Sequence, residues 1–309
     1  MNTPKTGDTV EAPIGPPGPP HQVAPPDPLT VRVQVDLAGA SHAGLVRPNN
    51  EDCYLVGRVE RALQVVATNL PAEYGPARTE EVAYGMLVAD GLGGSRAGEV
   101  ASRLATITFI NLVLHTPDWV MRPGEEEANR VMERIVQRYR RVGGVLARWG
   151  EADPSLAGMG TTMTLACSGG SDLFLGHVGD SRAYLLRGGD LIRLTRDHTI
   201  AQELADAGRI AQRDVDRHRL RHILSRALGS QGDTVAVDVT RVGLRDGDQL
   251  LLCTDGLTGM VSEDAIRDLL AAGGTAESAC RALIDAALAA GGKDNVTVAL
   301  ARYRFPGEL

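Results

Sequence analysis

Apolar and polar positions along this chain change their spacing several times, and each change marks an element. Residues 31–38 alternate with period two between apolar and polar side chains up to Leu37, which predicts a strand. A polar loop, residues 44–53, separates it from a second strand-like stretch ending at Val56. Residues 69–81 read as a surface excursion. The run 82–89 is almost wholly apolar and stops at Asp90, with Gly91, Gly93 and Gly94 behind it. Ala97, Val100, Ala101, Leu104, Ala105, Thr108 and Leu112 then recur at helical spacing. The pattern predicts a buried strand over 82–89, a tight turn holding Asp90, and a helix over 95–114. A second helix is predicted over 125–149, with Gly143-Gly144 breaking or bending it.

Strands follow at 161–167, 172–178 and 183–187, and a hairpin turn at 188–190 leads into 191–195. Residues 197–233 are polar and only partly helical, as a flap over a site would be. Further strands at 235–242, 249–254 and 295–303 and helices at 265–272 and 276–290 complete the chain. Residues 1–29 lack apolar periodicity and are rich in proline, so they read as a disordered tail. Residues 30–305 then form one catalytic-size domain.

Composition narrows the function. The chain has 309 residues, 43% of them hydrophobic, enough for a sizeable core. Its 32 Lys and Arg against 39 Asp and Glu leave a net charge of −7, which argues against nucleic acid as partner. No uninterrupted apolar run reaches membrane-spanning length, and the start has no signal-peptide core. The 4 cysteines stand far apart with no C-x-x-C pair. Reduced thiols, a cytoplasmic protein and no cysteine zinc site are the expectation.

The aspartates carry the chemistry. Leu250-Leu251-Leu252-Cys253-Thr254-Asp255-Gly256-Leu257 repeats the pattern that ends at Asp90-Gly91-Leu92. Asp180 follows the strand ending at Val178, and Asp294 precedes the last strand. One Asp-Gly is an ordinary turn. Four glycine-flanked aspartates at strand ends point to convergence at one edge, with Asp90 as the central ligand of a metal cluster. Buried carboxylates need a partner or a metal. All-oxygen donors favour magnesium, manganese or calcium over zinc. His177, inside a strand, reads as a packed residue, and His198 as a candidate proton donor.

Six motifs occur in order: Arg47-Pro48-Asn49-Asn50-Glu51-Asp52, Ala89-Asp90-Gly91-Leu92-Gly93-Gly94, Gly158-Met159-Gly160-Thr161-Thr162, Val178-Gly179-Asp180-Ser181-Arg182, Thr254-Asp255-Gly256-Leu257 and Lys293-Asp294-Asn295-Val296-Thr297. Together they resemble the metal-dependent protein serine/threonine phosphatases of type 2C in their bacterial form. The resemblance spans about residues 35–303. It implies an α+β fold, a four-layer αββα sandwich of two antiparallel sheets flanked by helix pairs. It implies that Asp90 bridges two Mn2+ or Mg2+ ions, that the Gly91 carbonyl binds one ion and that Asp255 and Asp294 bind the other. Asp180 with Asp255 would hold a third, weaker ion. Glu51 and Asp52 would orient metal-bound waters, and Arg47 would clamp the phosphate. The two ions would activate a shared water for in-line attack on phosphorus. Two departures stand out. Ser95 and Leu92 occupy places where relatives carry a histidine, so the resemblance supplies no general acid.

Phosphorylated proteins, a serine/threonine kinase system and a monomeric state are the expected context. A catalytically silent signalling module and a hydrolase of small phosphoesters are the alternatives.

Overall fold

The computed structural model describes residues 33–64, 67, 78–93, 96–115, 125–230, 232 and 234–306. The proline-rich tail, most of the 69–81 excursion and Ser95 lie outside the described residues.

Among the described residues, eleven strands form two sheets. β1 (Gln34–His42), β7 (Arg182–Arg187), β8 (Asp190–Arg193), β10 (Gln249–Cys253) and β11 (Val296–Arg304) make one, in the order β1-β11-β10-β7-β8. β2 (Asp52–Gln64), β3 (Arg78–Leu92), β5 (Met163–Gly169), β6 (Asp172–Val178) and β9 (Asp238–Gly243) make the other, in the order β2-β3-β5-β6-β9. There β4 (Gly160–Thr161) extends the end of β3. Every paired neighbour is antiparallel.

Side-chain alternation explains the layering. Met86 and Val88 join Leu175, Leu185, Leu252 and Ala299 between the sheets. Leu87 and Ala89 point the other way, into a core with α1 (Ala97–Leu114) and α2 (Glu125–Ala152). After the short helices α3 (Ile200–Asp206) and α4 (Asp255–Thr258), α5 (Glu263–Ala271) and α6 (Ala276–Ala289) cover the other sheet, where they meet Leu251 and Leu300. The order is helices, sheet, sheet, helices: the expected four-layer α+β sandwich. Both faces of β3 are covered, so the run 82–89 is continuously apolar rather than alternating.

Four expectations need correction. β3 does not stop before a turn at Asp90. It runs on to Leu92 because Gly91 and Leu92 pair with Thr161 and Gly160 of β4. The strand also begins at Arg78, inside the predicted excursion. Gly143-Gly144 does not break the helix: α2 continues through both. Gly143 is needed for proximity instead, since a side chain there would overlap the Gly232 carbonyl. The strands at 31–38, 235–242 and 295–303 are shifted to Gln34–His42, Asp238–Gly243 and Val296–Arg304. α1 is long and apolar enough by composition to cross a membrane, but it packs Ala101, Ala105 and Phe109 into the core.

Candidate active site at one end of the sandwich

Two carboxylates are set by strand register alone. Asp52 opens β2 and stands opposite Asp90 of β3. The Asp90 backbone is locked by β4 and β5: its N–H donates to Thr162 Oγ1 at 3.0 Å, and its carbonyl accepts from Thr162 N and Thr161 Oγ1, both at 2.8 Å. Asp180 lies between β6 and β7, Asp255 opens the short helix α4 (Asp255–Thr258), and Asp294 precedes β11.

These acids feel one another. Burial raises Asp90 well above the usual carboxylate range, and Asp52, Asp255, Asp180 and Asp294 push it further. Burial likewise raises Asp180, with Asp255 and Asp197 adding to it. Asp52 is pushed up to about 7 by burial, against hydrogen bonds that favour its charged form. One of these comes from Thr254 Oγ1 to Asp52 Oδ2 at 2.8 Å. Thr254 Oγ1 in turn accepts from Thr297 N at 3.0 Å. Asp52 Oδ1 is buried with no hydrogen-bond partner.

The loop before β2 hangs on Asn295. Its amide donates to the carbonyls of Ala43 (2.9 Å) and Asn49 (2.7 Å), and its Oδ1 accepts from Glu51 N at 2.8 Å. That frame carries Arg47, whose Nη2 donates to Asp294 Oδ2 at 2.8 Å. Both partners of this pair are solvent-accessible. Asp294, then Glu51 and Asp90, hold the Arg47 guanidinium above its ordinary value despite partial burial. Burial raises Glu51, and Arg47 opposes that. Gly91 N donates to the Glu51 carbonyl at 3.2 Å. A side chain on Gly91 would overlap Gly98 of α1, and one on Gly98 would press on Glu51 Oε2. The two glycines let helix, strand and loop meet at the acids.

Every expected site residue, Arg47, Glu51, Asp52, Asp90, Gly91, Asp180, Asp255 and Asp294, therefore belongs to one end of the sandwich. Among the described residues, no group of three or more acidic, His or Cys side chains is placed so as to hold a metal ion. The donor set is nonetheless all oxygen and mutually repelling, with Asp52 and Asp180 buried and one orphaned carboxylate oxygen on Asp52. That suits a hard divalent cation.

Of the two histidines, only His198 differs from expectation. His198 is buried. Its Nδ1 accepts from Gly179 N at 3.1 Å and its Nε2 lies 3.1 Å from Asp238 Oδ2. With both ring nitrogens engaged, it holds the loop before Asp180 and offers no proton to a substrate. His177 is packed, as its strand position suggested. It is fixed by Thr164 Oγ1 and the Arg196 carbonyl and lowered to about 4 mainly by burial. Sequence reasoning gave no roles to Thr254, Thr297 or Asn295. Their only signal was their position beside strand-end aspartates. From the flap, His222 Nδ1 reaches to 3.7 Å from Asp255 Oδ2.

Comparison with known proteins agrees with this geometry. The sequence model of the family described as Protein phosphatase 2C matches residues 81–296. The serine/threonine protein phosphatase PstP of Mycobacterium tuberculosis is 38% identical over 271 residues, covering 88% of this chain and 45% of PstP. The chain thus spans about half the length of that relative. The serine/threonine phosphatase stp of Listeria monocytogenes is 37% identical over 215 residues, 70% of this chain and 82% of its own. A crystal structure of PstP superposes with a TM-score of 0.71 at 34% identity, covering 87% of this chain and 99% of that one. The PstP catalytic domain in complex with 2 manganese ions gives a TM-score of 0.69 at 33% identity, covering 88% and 99%.

Proposed function

The chain belongs to the Protein phosphatase 2C family, and on that footing we propose that it is a metal-dependent protein serine/threonine phosphatase. The observation that carries this is the convergence of Asp52, Asp90, Asp180, Asp255 and Asp294 with an unpartnered buried oxygen on Asp52. Manganese or magnesium is the cofactor, supported by the oxygen donors and by the two manganese ions of the PstP structure. Asp90, Asp255, Asp294 and the Gly91 carbonyl would hold two ions, and Asp180 with Asp255 a third, weaker one. When bound, the ions supply Lewis-acid charge and lower the pKa of a water near phosphorus.

The chain's own residues do the rest. Glu51 and Asp52 accept hydrogen bonds from water in the site and so aim it. Thr254 keeps Asp52 from turning away. Arg47, on the accessible rim, offers a planar pair of N–H donors to phosphoryl oxygens, and its contact with Asp294 keeps it beside the acids. With His177 and His198 turned inward, no histidine of the acid-bearing strands delivers a proton to the leaving group.

The flap supports protein substrates. Arg217, Arg219 and Arg221 are exposed in it, on the same stretch as His222, which reaches Asp255. Three exposed arginines within five residues of His222 would favour phosphorylated segments rich in acids. A serine/threonine kinase as opposing partner, a monomeric state, a cytoplasmic location and one catalytic domain over 30–305 complete this reading. The test is phosphate release from a phosphothreonine peptide with manganese, with magnesium and with chelator. Turnover with metal alone supports the reading; folded protein inert with both metals removes it.

A further inference from the structure

Gly179-Asp180-Ser181 carries the chain from β6 in one sheet to β7 in the other. A crossing between sheets has no ladder partner, so its backbone groups must find hydrogen bonds elsewhere. It also carries an acid under strain from its surroundings: burial and the charges of Asp255 and Asp197 all raise Asp180. On one side of that acid, Ser181 is fixed by two threonines. Thr162 Oγ1 lies 2.9 Å from Ser181 Oγ, and Thr164 Oγ1 donates to the Ser181 carbonyl at 3.3 Å.

On the other side, Gly179 is fixed by a single residue. Its carbonyl accepts from His198 N at 2.7 Å, and its N–H donates to His198 Nδ1 at 3.1 Å. Gly179 has a φ of 114°, and a Cβ there would lie 2.5 Å from Thr162. Only glycine allows this seat, and both of its backbone groups go to His198.

His198 is itself anchored from behind. Its carbonyl accepts from Ser225 N at 2.9 Å, and Thr199 forms an antiparallel bridge with Leu224. The acceptor role of Nδ1 places the ring proton on Nε2, which donates to Asp238 Oδ2 at 3.1 Å. Arg226 Nη1 lies 3.2 Å from Nε2 and donates to the other Asp238 oxygen at 3.1 Å, holding that carboxylate in place. Burial lowers His198 below its ordinary value, so Nδ1 keeps its lone pair at neutral pH. The His177 ring, 4.8 Å away between centroids, packs against it.

We propose that His198 is a positioning residue for the third, weaker cation, and that it holds Asp180 in place through the Nδ1 bond to Gly179 rather than by filling space. The inference rests on the phosphatase reading, because Asp180 with Asp255 is the site that His198 would serve.

Two substitutions separate the ring nitrogens. His198→Asn puts an amide oxygen close to the Nδ1 position and nothing at Nε2. His198→Gln puts an amide nitrogen close to Nε2 and leaves Gly179 N without its acceptor. A ring that only filled space would be replaced worse by Asn, the smaller of the two.

The test is calorimetric titration of the metal-free full chain with Mn2+, in which the weak ion forms the last phase. In His198→Asn the Kd of that ion should stay within about twofold of wild type. In His198→Gln it should weaken about three- to tenfold, the range of one hydrogen bond, with the two tighter ions unchanged. Equal affinities in the two variants, a greater loss in His198→Asn, or equal weakening of all three ions in His198→Gln overturns the proposal. A wild type that takes two ions and no third overturns it and leaves the phosphatase reading standing. A wild type that binds no Mn2+ overturns both. Should either variant fail to unfold cooperatively, imidazole nitrogen NMR of the wild type during titration with Mg2+ replaces the pair. An unprotonated His198 Nδ1 whose resonance shifts in the weak phase supports the proposal. A protonated Nδ1, or no shift, overturns it.

Discussion

Asp52 and Asp90 stand directly opposite each other across the β2–β3 ladder, a buried and a half-buried carboxylate in cross-strand register. Like charges at such positions destabilise a sheet. The placement is understandable when a cation sits between acids, because repulsion then becomes shared attraction. Asp90→Asn removes the most crowded of the charges. Metal-dependent phosphate release should fall by about 100-fold or more. In chelator the variant should melt higher than the wild type, and the rise in Tm produced by manganese should shrink. A wild-type manganese shift in Asp90→Asn would remove Asp90 from the metal site.

Arg47 separates catalysis from stability. Its pair with Asp294 is accessible on both sides, and such pairs contribute about 0–1 kcal/mol. Arg47→Ala should therefore leave Tm nearly unchanged. A charged hydrogen bond to phosphate is worth about 1.5–3 kcal/mol, so kcat/KM for a phosphothreonine peptide should fall roughly 10- to 100-fold. Steady-state kinetics beside a thermal melt checks both halves.

Much of this site was legible because its chemistry is written in residue types. Asp90, Asp180, Asp255 and Asp294 sit where apolar runs meet glycines, and strand ends in a sandwich gather at an edge. The layering was legible too: Leu87 and Met86 face different cores, so the β3 run could not alternate. What escaped was set by non-local geometry. The extension of β3 past Asp90 depends on pairing with β4, some 70 residues away. Gly143 looked like a helix breaker, yet it makes room for Gly232. His198 looked available next to Asp197, but burial against Gly179 and Asp238 commits both its nitrogens. Asn295 has no signature of a hub, since its partners lie about 245–250 positions earlier.

That hub gives a sharp expectation. Asn295→Ala deletes three hydrogen bonds at a buried position and leaves the carbonyls of Ala43 and Asn49 and the N–H of Glu51 to find new partners. The cost should be about 2–4 kcal/mol by denaturant unfolding. Because the loop carries Arg47, KM for phosphopeptide should rise as well. Unchanged stability would show that the loop is held by other contacts.

His177 predicts a pH effect with a defined sign. Burial lowers it to about 4 in the fold, from 6.5. The unfolded chain takes up this proton first, so the contribution is whole above about 6.5 and lost as pH falls toward 4. The shift corresponds to about 3 kcal/mol at most. The raised carboxylates of Asp52, Asp90 and Asp180 act in the opposite direction. The test is therefore the difference between the wild type and His177→Gln, melted from pH 7 to pH 4 in chelator. The gap should narrow as pH falls, and a constant gap would exclude the histidine as its source.

The flap should read charge on the substrate. Arg217, Arg219 and Arg221 are exposed and, among the described residues, none is paired with a carboxylate. Each contact with an acidic side chain at a wet surface is worth about 0.3–0.5 kcal/mol. Replacing all three by Gln should then cut kcat/KM about five- to tenfold for a phosphothreonine peptide flanked by Asp and Glu. A peptide with neutral flanks should be hydrolysed as before, because Arg47 and the aspartates are untouched. The preference for acidic flanks should also fade as salt shortens the Debye length from about 10 Å at 0.1 M toward 3 Å at 1 M. Equal losses on both peptides would assign the arginines to holding the flap in place. No loss on either would leave them as solvated surface, with selection made elsewhere.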